Sequence, residues 1–128
     1  SLLQKAASQK RRVTHWYAEL ALVVRGKRSA ESLEKGVLHE HRMVREYAVR
    51  FAGQVIPDLG KKANRIARNV VKMGLKDPDP IVRLESLKSA VLLNLQPVKE
   101  DAQSLLVDEV RAVRVEAAGT LLALQLRN

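Results

Sequence analysis

The chain contains no cysteine and only four aromatic residues, Trp16, Tyr17, Tyr47 and Phe51. Without cysteine there can be no disulfide, thiolate zinc site, cysteine nucleophile or covalently attached c-type haem on this chain, and the compartment stays open. Four aromatics are too few for a nucleobase-stacking platform or the core of a β-sandwich. No apolar run approaches the roughly 18 residues of a membrane span, and no charged segment followed by an apolar h-region opens the sequence. The six glycines, Gly26, Gly36, Gly53, Gly60, Gly74 and Gly119, are isolated, so there is no glycine-rich phosphate loop. What remains is 128 residues, 46% of them hydrophobic, which is too apolar for general disorder. The expectation is a single domain over 1–128, burying about two thirds of its unfolded surface, with no cofactor of its own.

Charge is abundant but unevenly placed. The formal net charge is +9, from 23 Lys+Arg against 14 Asp+Glu. Residues 1–28 carry seven bases and the single acid Glu19, and residues 57–76 carry six bases and the single acid Asp58. The two remaining stretches are neutral or slightly acidic. The excess therefore belongs to two short segments, and it is the main functional clue in the sequence.

Helical periodicity runs through the chain, and no stretch alternates in the manner of a strand bounded by hairpin turns. A first helix spans about Leu2–Arg25, with a break near Ser8–Arg12 that Thr14 would cap, and Gly26 stops it. Ser29 caps a short helix to Leu38. A third covers about Arg42–Val55 and ends before Pro57. Asp58 is read as the cap of a helix to about Leu75. Asp79 followed by Pro80 is a strong start signal for a helix reaching Leu95. Two more follow, Pro97–Val107 and Val110 to the end. The connections are short, so neighbours should pack antiparallel. The fold class is all-α.

The helices repeat. Val44-Arg45-Glu46-Tyr47-Ala48, Val82-Arg83-Leu84-Glu85-Ser86 and Val113-Arg114-Val115-Glu116-Ala117 align, with His39, Asp77 and Asp108 at the same offset before each valine. The step from Val82 to Val113 is somewhat shorter than the step from Val44 to Val82. Periods of about 30 to 40 residues mark stacked helical hairpins, none of which can bury its apolar face alone.

The pattern Asp-x-x-x-x-Val-Arg-x-x-Ala, clearest in residues 77–83 and 108–118, resembles the HEAT repeat over about residues 29–126. The resemblance implies an α-α superhelix, or solenoid, of about three helical hairpins plus an N-terminal helix. It also implies a structural ladder of turn aspartates and arginines made by Asp77, Arg83, Asp108, Arg114 and Arg45. His39 replaces the aspartate in the first unit, which puts the ladder contact of Arg45 in question. More narrowly, Trp16-Tyr17-Ala18-Glu19, the helix ending Arg25-Gly26-Lys27-Arg28 and the segment 110–118 are similar to the helical-repeat region of bacterial multihaem c-type cytochrome-like proteins. That likeness implies a periplasmic setting and docking of electron-transfer components by a haem-free region.

No catalytic constellation stands out. His39-Glu40-His41 invites a metal reading, but positions i and i+2 do not share a helix face, and a third and fourth ligand are missing. They read as exposed turn histidines, and His15 as a partly buried packing residue beside Trp16. The acidic pairs Asp77/Asp79, Glu100/Asp101 and Asp108/Glu109 all fall at turns or helix starts, where they cap amides. An enzyme is not expected.

The basic helix is more informative. Leu59, Ala63, Ile66, Ala67, Val70 and Gly74 gather on one side of a helical wheel, and Lys61, Arg65, Arg68, Lys72 and Lys76 on the other, with Lys62 flanking. No acid of that segment interrupts the stripe, which suits an acidic protein, the phosphates of a nucleic acid or anionic lipid. Lys10-Arg11-Arg12 with Arg25, Lys27 and Arg28 form a second basic region. The leading expectation is a protein-binding scaffold with an acidic partner, and nucleic-acid binding is the alternative. The last helix, rich in leucine at 121, 122, 124 and 126, lacks the polar outer face of a terminal repeat, so a further repeat, domain or copy is expected to cover Leu122 and Leu126.

Overall fold

The computed structural model describes residues 1–127; Asn128, which the sequence puts at the end of the last helix, lies outside them. Seven α-helices make up the described chain: α1 (Leu2–Val24), α2 (Glu31–Val37), α3 (Arg42–Ala52), α4 (Lys61–Gly74), α5 (Pro80–Leu92), α6 (Lys99–Ser104) and α7 (Arg111–Leu126). Short 3-10 turns at Pro57–Leu59, Gln96–Val98 and Leu105–Val107 join them, and no strand occurs among the described residues. The protein is all-α.

Local chemistry sets the helix ends, in part differently from the sequence reading. α1 runs unbroken, and Thr14 caps nothing: its hydroxyl donates back to the Lys10 carbonyl at 2.9 Å. Its start is a capping box in which Ser1 Oγ accepts the Gln4 N–H. Its end is a Schellman motif, with Gly26 at φ 75° and the N–H groups of Gly26 and Lys27 donating to the Val23 and Leu22 carbonyls. Asp58 does not cap α4. It lies within a 3-10 turn, and Gly60, at φ 98°, precedes the helix without a side-chain cap. Asp79 behaves as expected, accepting the Ile81 N–H at 2.8 Å with Pro80 at the first helical position. α5 stops earlier than Leu95 because Asn94 turns left-handed at φ 47°. The N–H groups of Asn94 and Leu95 then close on the Val91 and Ala90 carbonyls.

The helices pack in two rows. α1, α3, α5 and α7 follow one another in the first row, each against the next. α2 and α4 lie side by side in the second row, α2 also against α1 and α3, and α4 against α3 and α5. α6 packs on α7. One apolar core runs the length of the stack, from Leu20 and Leu33 through Val49, Val70 and Leu87 to Leu124. Close approach between helices is achieved with small residues: Ala48, Ala52, Ala90 and Ala117 are all fully buried. At Gly74 a Cβ would sit 2.5 Å from Val49 Cγ1 and would collide with Ser86 Oγ, so α4 packs backbone-close on α3 and α5 only because position 74 has no side chain.

Candidate docking surfaces

α4 is amphipathic, and burial follows the wheel: Ile66, Ala67, Val70, Val71 and Gly74 are buried, while Lys61, Arg65 and Arg68 are exposed and Lys72 is half-buried. Lys61, Arg65, Arg68 and Lys72, with Asn64 and Asn69 between them, line one shallow groove. The row spans about 16 Å of helix. Among the described residues no carboxylate lies within 4.0 Å of any of these four cations. The two remaining predicted members stand apart. Lys76 is exposed in the turn after α4. Lys62 donates to Glu31 Oε1 of α2 at 2.8 Å, a partner from elsewhere in the chain that the local sequence did not reveal. That hydrogen bond, then the Lys62 charge, holds the Glu31 carboxyl below the usual carboxylate range despite the opposing cost of desolvation.

The α3 arginines make the contrast. Arg42 pairs with Glu46 at 3.3 Å and Asp79 at 3.5 Å, and Arg50 is held by Glu46 and Glu85 and lies 5.5 Å from the centre of the Tyr47 ring. These surface cations are neutralised by carboxylates of their own and neighbouring helices, and the α4 row is not.

The second basic region divides. Gly26, Arg28, Leu59 and Lys62 line a common depression, so the end of α1 adjoins the start of α4. Arg28 there is paired with Glu19 at 3.3 Å. Lys10-Arg11-Arg12 lies about 20 Å up the same helix, with Arg12 beside His39, Glu40 and His41. His15 is exposed rather than packed, while Trp16 is the half-buried residue and meets the His39 ring edge-on at 5.5 Å.

Four of the five predicted ladder residues meet side chain to side chain, and the partnering is directional; Arg114 bonds only to the Asp108 carbonyl of its own turn. Arg45 Nε and Nη2 donate to Asp77 at 2.8 and 3.3 Å, and Arg83 Nε and Nη2 donate to Asp108 at 2.8 and 3.0 Å. Each arginine thus forks onto the aspartate of the following unit, while its Nη1 holds carbonyls of its own turn: His39 and Glu40 for Arg45, Asp77 and Pro78 for Arg83. The question over Arg45 is thereby resolved, because its side-chain partner is Asp77 and not His39. Burial raises the Asp108 carboxyl, but hydrogen bonds from Arg83 and the Val110 N–H, with the charges of Arg83 and Arg114, outweigh it and leave the group below its ordinary value.

Two features escaped the sequence reading. The first is how the turn histidines act, and they are half-buried where the sequence reading had them exposed: His39 Nδ1 accepts the His41 N–H at 2.9 Å, and His41 Nδ1 accepts the Met43 N–H at 3.1 Å. Asp77 and Asp79 accept from Asp79 and Ile81 in the same pattern one unit later, a correspondence legible in the spacing. The second feature is a buried hydroxyl rung. Ser89 Oγ donates to the Val49 carbonyl at 2.7 Å, and Thr120 Oγ1 to the Leu87 carbonyl at 3.2 Å. Ser89 follows Asp77 at the same sequence offset as Thr120 follows Asp108.

Among the described residues no three histidines or carboxylates gather as a metal site, and no helix is long and apolar enough to cross a membrane. No protein-family model matches the chain, and no curated protein matches it by sequence.

Proposed function

We propose that the protein is a non-catalytic docking scaffold, a short HEAT-like solenoid that offers the cations of α4 to an acidic protein. The two helix rows and the recurring Arg–Asp forks support the solenoid reading. The docking reading is carried by one observation: Lys61, Arg65, Arg68 and Lys72 form a groove-lining row without a carboxylate in reach among the described residues. Aligned like charges repel one another, and a complementary anionic surface relieves that repulsion while speeding encounter. The flanking Asn64 is largely committed to nearby backbone, donating to the Gly60 carbonyl at 2.7 Å and the Ile56 carbonyl at 3.0 Å. On the cytochrome-like resemblance, the acidic partner is an electron-transfer component of the periplasm.

The test is binding of a fluorescent poly-glutamate peptide and of a short DNA duplex, each titrated at two salt concentrations. The expected result is salt-sensitive binding of the peptide, abolished by combined Arg65→Glu, Arg68→Glu and Lys72→Glu. Tight duplex binding with a log–log salt slope near −0.9 for each of about four phosphates would transfer the row to nucleic-acid recognition. Failure to bind either probe at low salt would sink the docking reading.

A further inference from the structure

The two inter-unit contacts recur in the same register, and together they say what the outer face of α7 is built to receive. At each internal junction the earlier unit supplies an arginine fork and a backbone carbonyl: Arg45 with the Val49 carbonyl, then Arg83 with the Leu87 carbonyl. The later unit supplies the matching carboxylate and, at a fixed offset after it, the hydroxyl: Asp77 with Ser89, then Asp108 with Thr120. Carried forward by the step from Arg83 to Arg114, the earlier-unit half of this set falls on Arg114 and the Ala118 carbonyl of α7.

Arg114 already stands in the ladder pose. Its Nη1 donates to the Asp108 carbonyl at 2.7 Å, as Arg83 Nη1 does to the Asp77 carbonyl at 2.9 Å. Its Nε and Nη2, the atoms that hold the aspartate at the two earlier junctions, donate to nothing among the described residues. The apolar part of the face matches too. By the same step, Val115, Ala118 and Leu122 correspond to Leu84, Leu87 and Val91 of α5, where the Leu87 carbonyl accepts from Thr120 and Val91 lines a groove with Glu116, Gly119 and Thr120 of α7. Leu87 is wholly buried and Leu84 and Val91 are half-buried, whereas their counterparts Ala118, Val115 and Leu122 are all exposed, Val115 at 62% and Leu122 at 59%.

We infer that the α7 face is the docking surface for one further helical repeat. That repeat carries an aspartate at its leading turn, followed by a serine or threonine at the offset that separates Asp77 from Ser89. The aspartate completes the fork of Arg114, the hydroxyl caps the Ala118 carbonyl, and a first-row helix covers Val115 and Leu122.

A second copy of this chain does not fit that description. At the corresponding positions its first unit has His39, whose Nδ1 is engaged with the His41 N–H, and Phe51, which has no hydroxyl. The face of its α3 is also occupied by α1, with the Tyr17 ring 5.0 Å from Tyr47 and 5.2 Å from Phe51. Nor does one α7 face complement another, since Arg111, Val115, Ala118, Leu122 and Leu126 include no carboxylate for Arg114. The α7 face belongs to a different helix from the α4 row, and its role stands or falls independently of it.

The test extends the whole chain with a tandem copy of residues 97–127 joined after Arg127. In this register the copied Asp108 meets Arg114, and the copied Thr120 meets the Ala118 carbonyl. The expected result is one cooperative unfolding transition at a higher midpoint than that of the original chain. Arg114→Ala and the copied Asp108→Ala should each weaken the extended protein, and a double-mutant cycle should couple them by about fivefold or more in the unfolding constant. Arg114→Ala in the original chain should cost distinctly less. A separate or unshifted transition, or absence of coupling, would overturn the inference. Sedimentation of the original chain supplies a check that needs no extension: a monomer is expected, and a dimer dispersed by Leu122→Glu would make the face a self-interface instead.

Discussion

Asp108 joins two duties in one side chain. It receives the Arg83 fork, accepts the Val110 N–H at 2.9 Å, and is almost wholly buried in its ion pair. Because its folded carboxyl sits below its ordinary value, the stabilisation it provides is complete above the unfolded carboxylate pKa of about 3.9 and is lost as pH falls towards the depressed folded value. Asp108→Ala should therefore cost about 3 kcal/mol at neutral pH, because it strands a guanidinium that is only 10% exposed. The difference between wild type and variant should narrow on acidification, as protonation removes the carboxylate from the wild type as well. Urea unfolding of both proteins across the acid range reads this directly. A gap that stays constant would mean that the carboxylate charge is not what holds the turn. His39 and His41 show that the turn can be built without carboxylates, since an imidazole Nδ1 that accepts a backbone N–H does the same local work. What they do not provide is an acceptor for a preceding arginine, which suits a unit covered by α1.

At the scale of the helix, glycines separate contacts that require a bare backbone from those that do not. Gly74 has Val49 and Ser86 within the space of a Cβ, and Gly53 would set a Cβ 2.7 Å from Ser89 Cβ. Gly119, in the middle of α7, has nothing within 4 Å of that position. Gly74→Ala should then destabilise by about 1–3 kcal/mol through overpacking between helices. Gly119→Ala should stabilise by about 0.5–1 kcal/mol, because the helical backbone there accepts alanine and the unfolded chain loses freedom. Equilibrium denaturation measures both. Reversed signs would show that α4, and not α7, has room to spare. Helix identity was legible in the wheel of α4 and in the Asp79-Pro80 start, since both depend on neighbours in sequence. The continuity of α1 through Ser8–Arg12 and the failure of Asp58 to cap were not. Thr14 finds its partner inside the helix, and Pro57 draws Asp58 into a 3-10 turn ahead of Gly60.

Across the whole molecule, cover is uneven. α5 is flanked by α3 and α7 in its row, and α7 has α5 on one side only among the described residues. The first three turns of α1 bury no large side chain, and Leu2 and Leu3 are each 84% exposed. Amide protection should rank accordingly: slowest exchange in α3 and α5, faster in α7, fastest at the start of α1. Native-state hydrogen exchange tests the order, and protection of α7 equal to that of α5 would contradict it.

The amino-acid sequence carried the positions of most helices, the unit spacing and the two basic segments, because periodicity, caps and local charge act within a turn or two of each residue. It also held the register of the repeat, in which an aspartate, an arginine and a hydroxyl recur at set intervals. The packed fold set which groups meet. It carried Glu31 to Lys62 and left Arg65 and Arg68 without a carboxylate in reach among the described residues. It sent Nε and Nη2 of Arg45 forward to Asp77 while Nη1 holds the His39 and Glu40 carbonyls, and it left Nε and Nη2 of Arg114 without an acceptor among the described residues. Those outcomes turn on contacts between helices well separated along the chain, where packing, not sequence proximity, brings charges within reach.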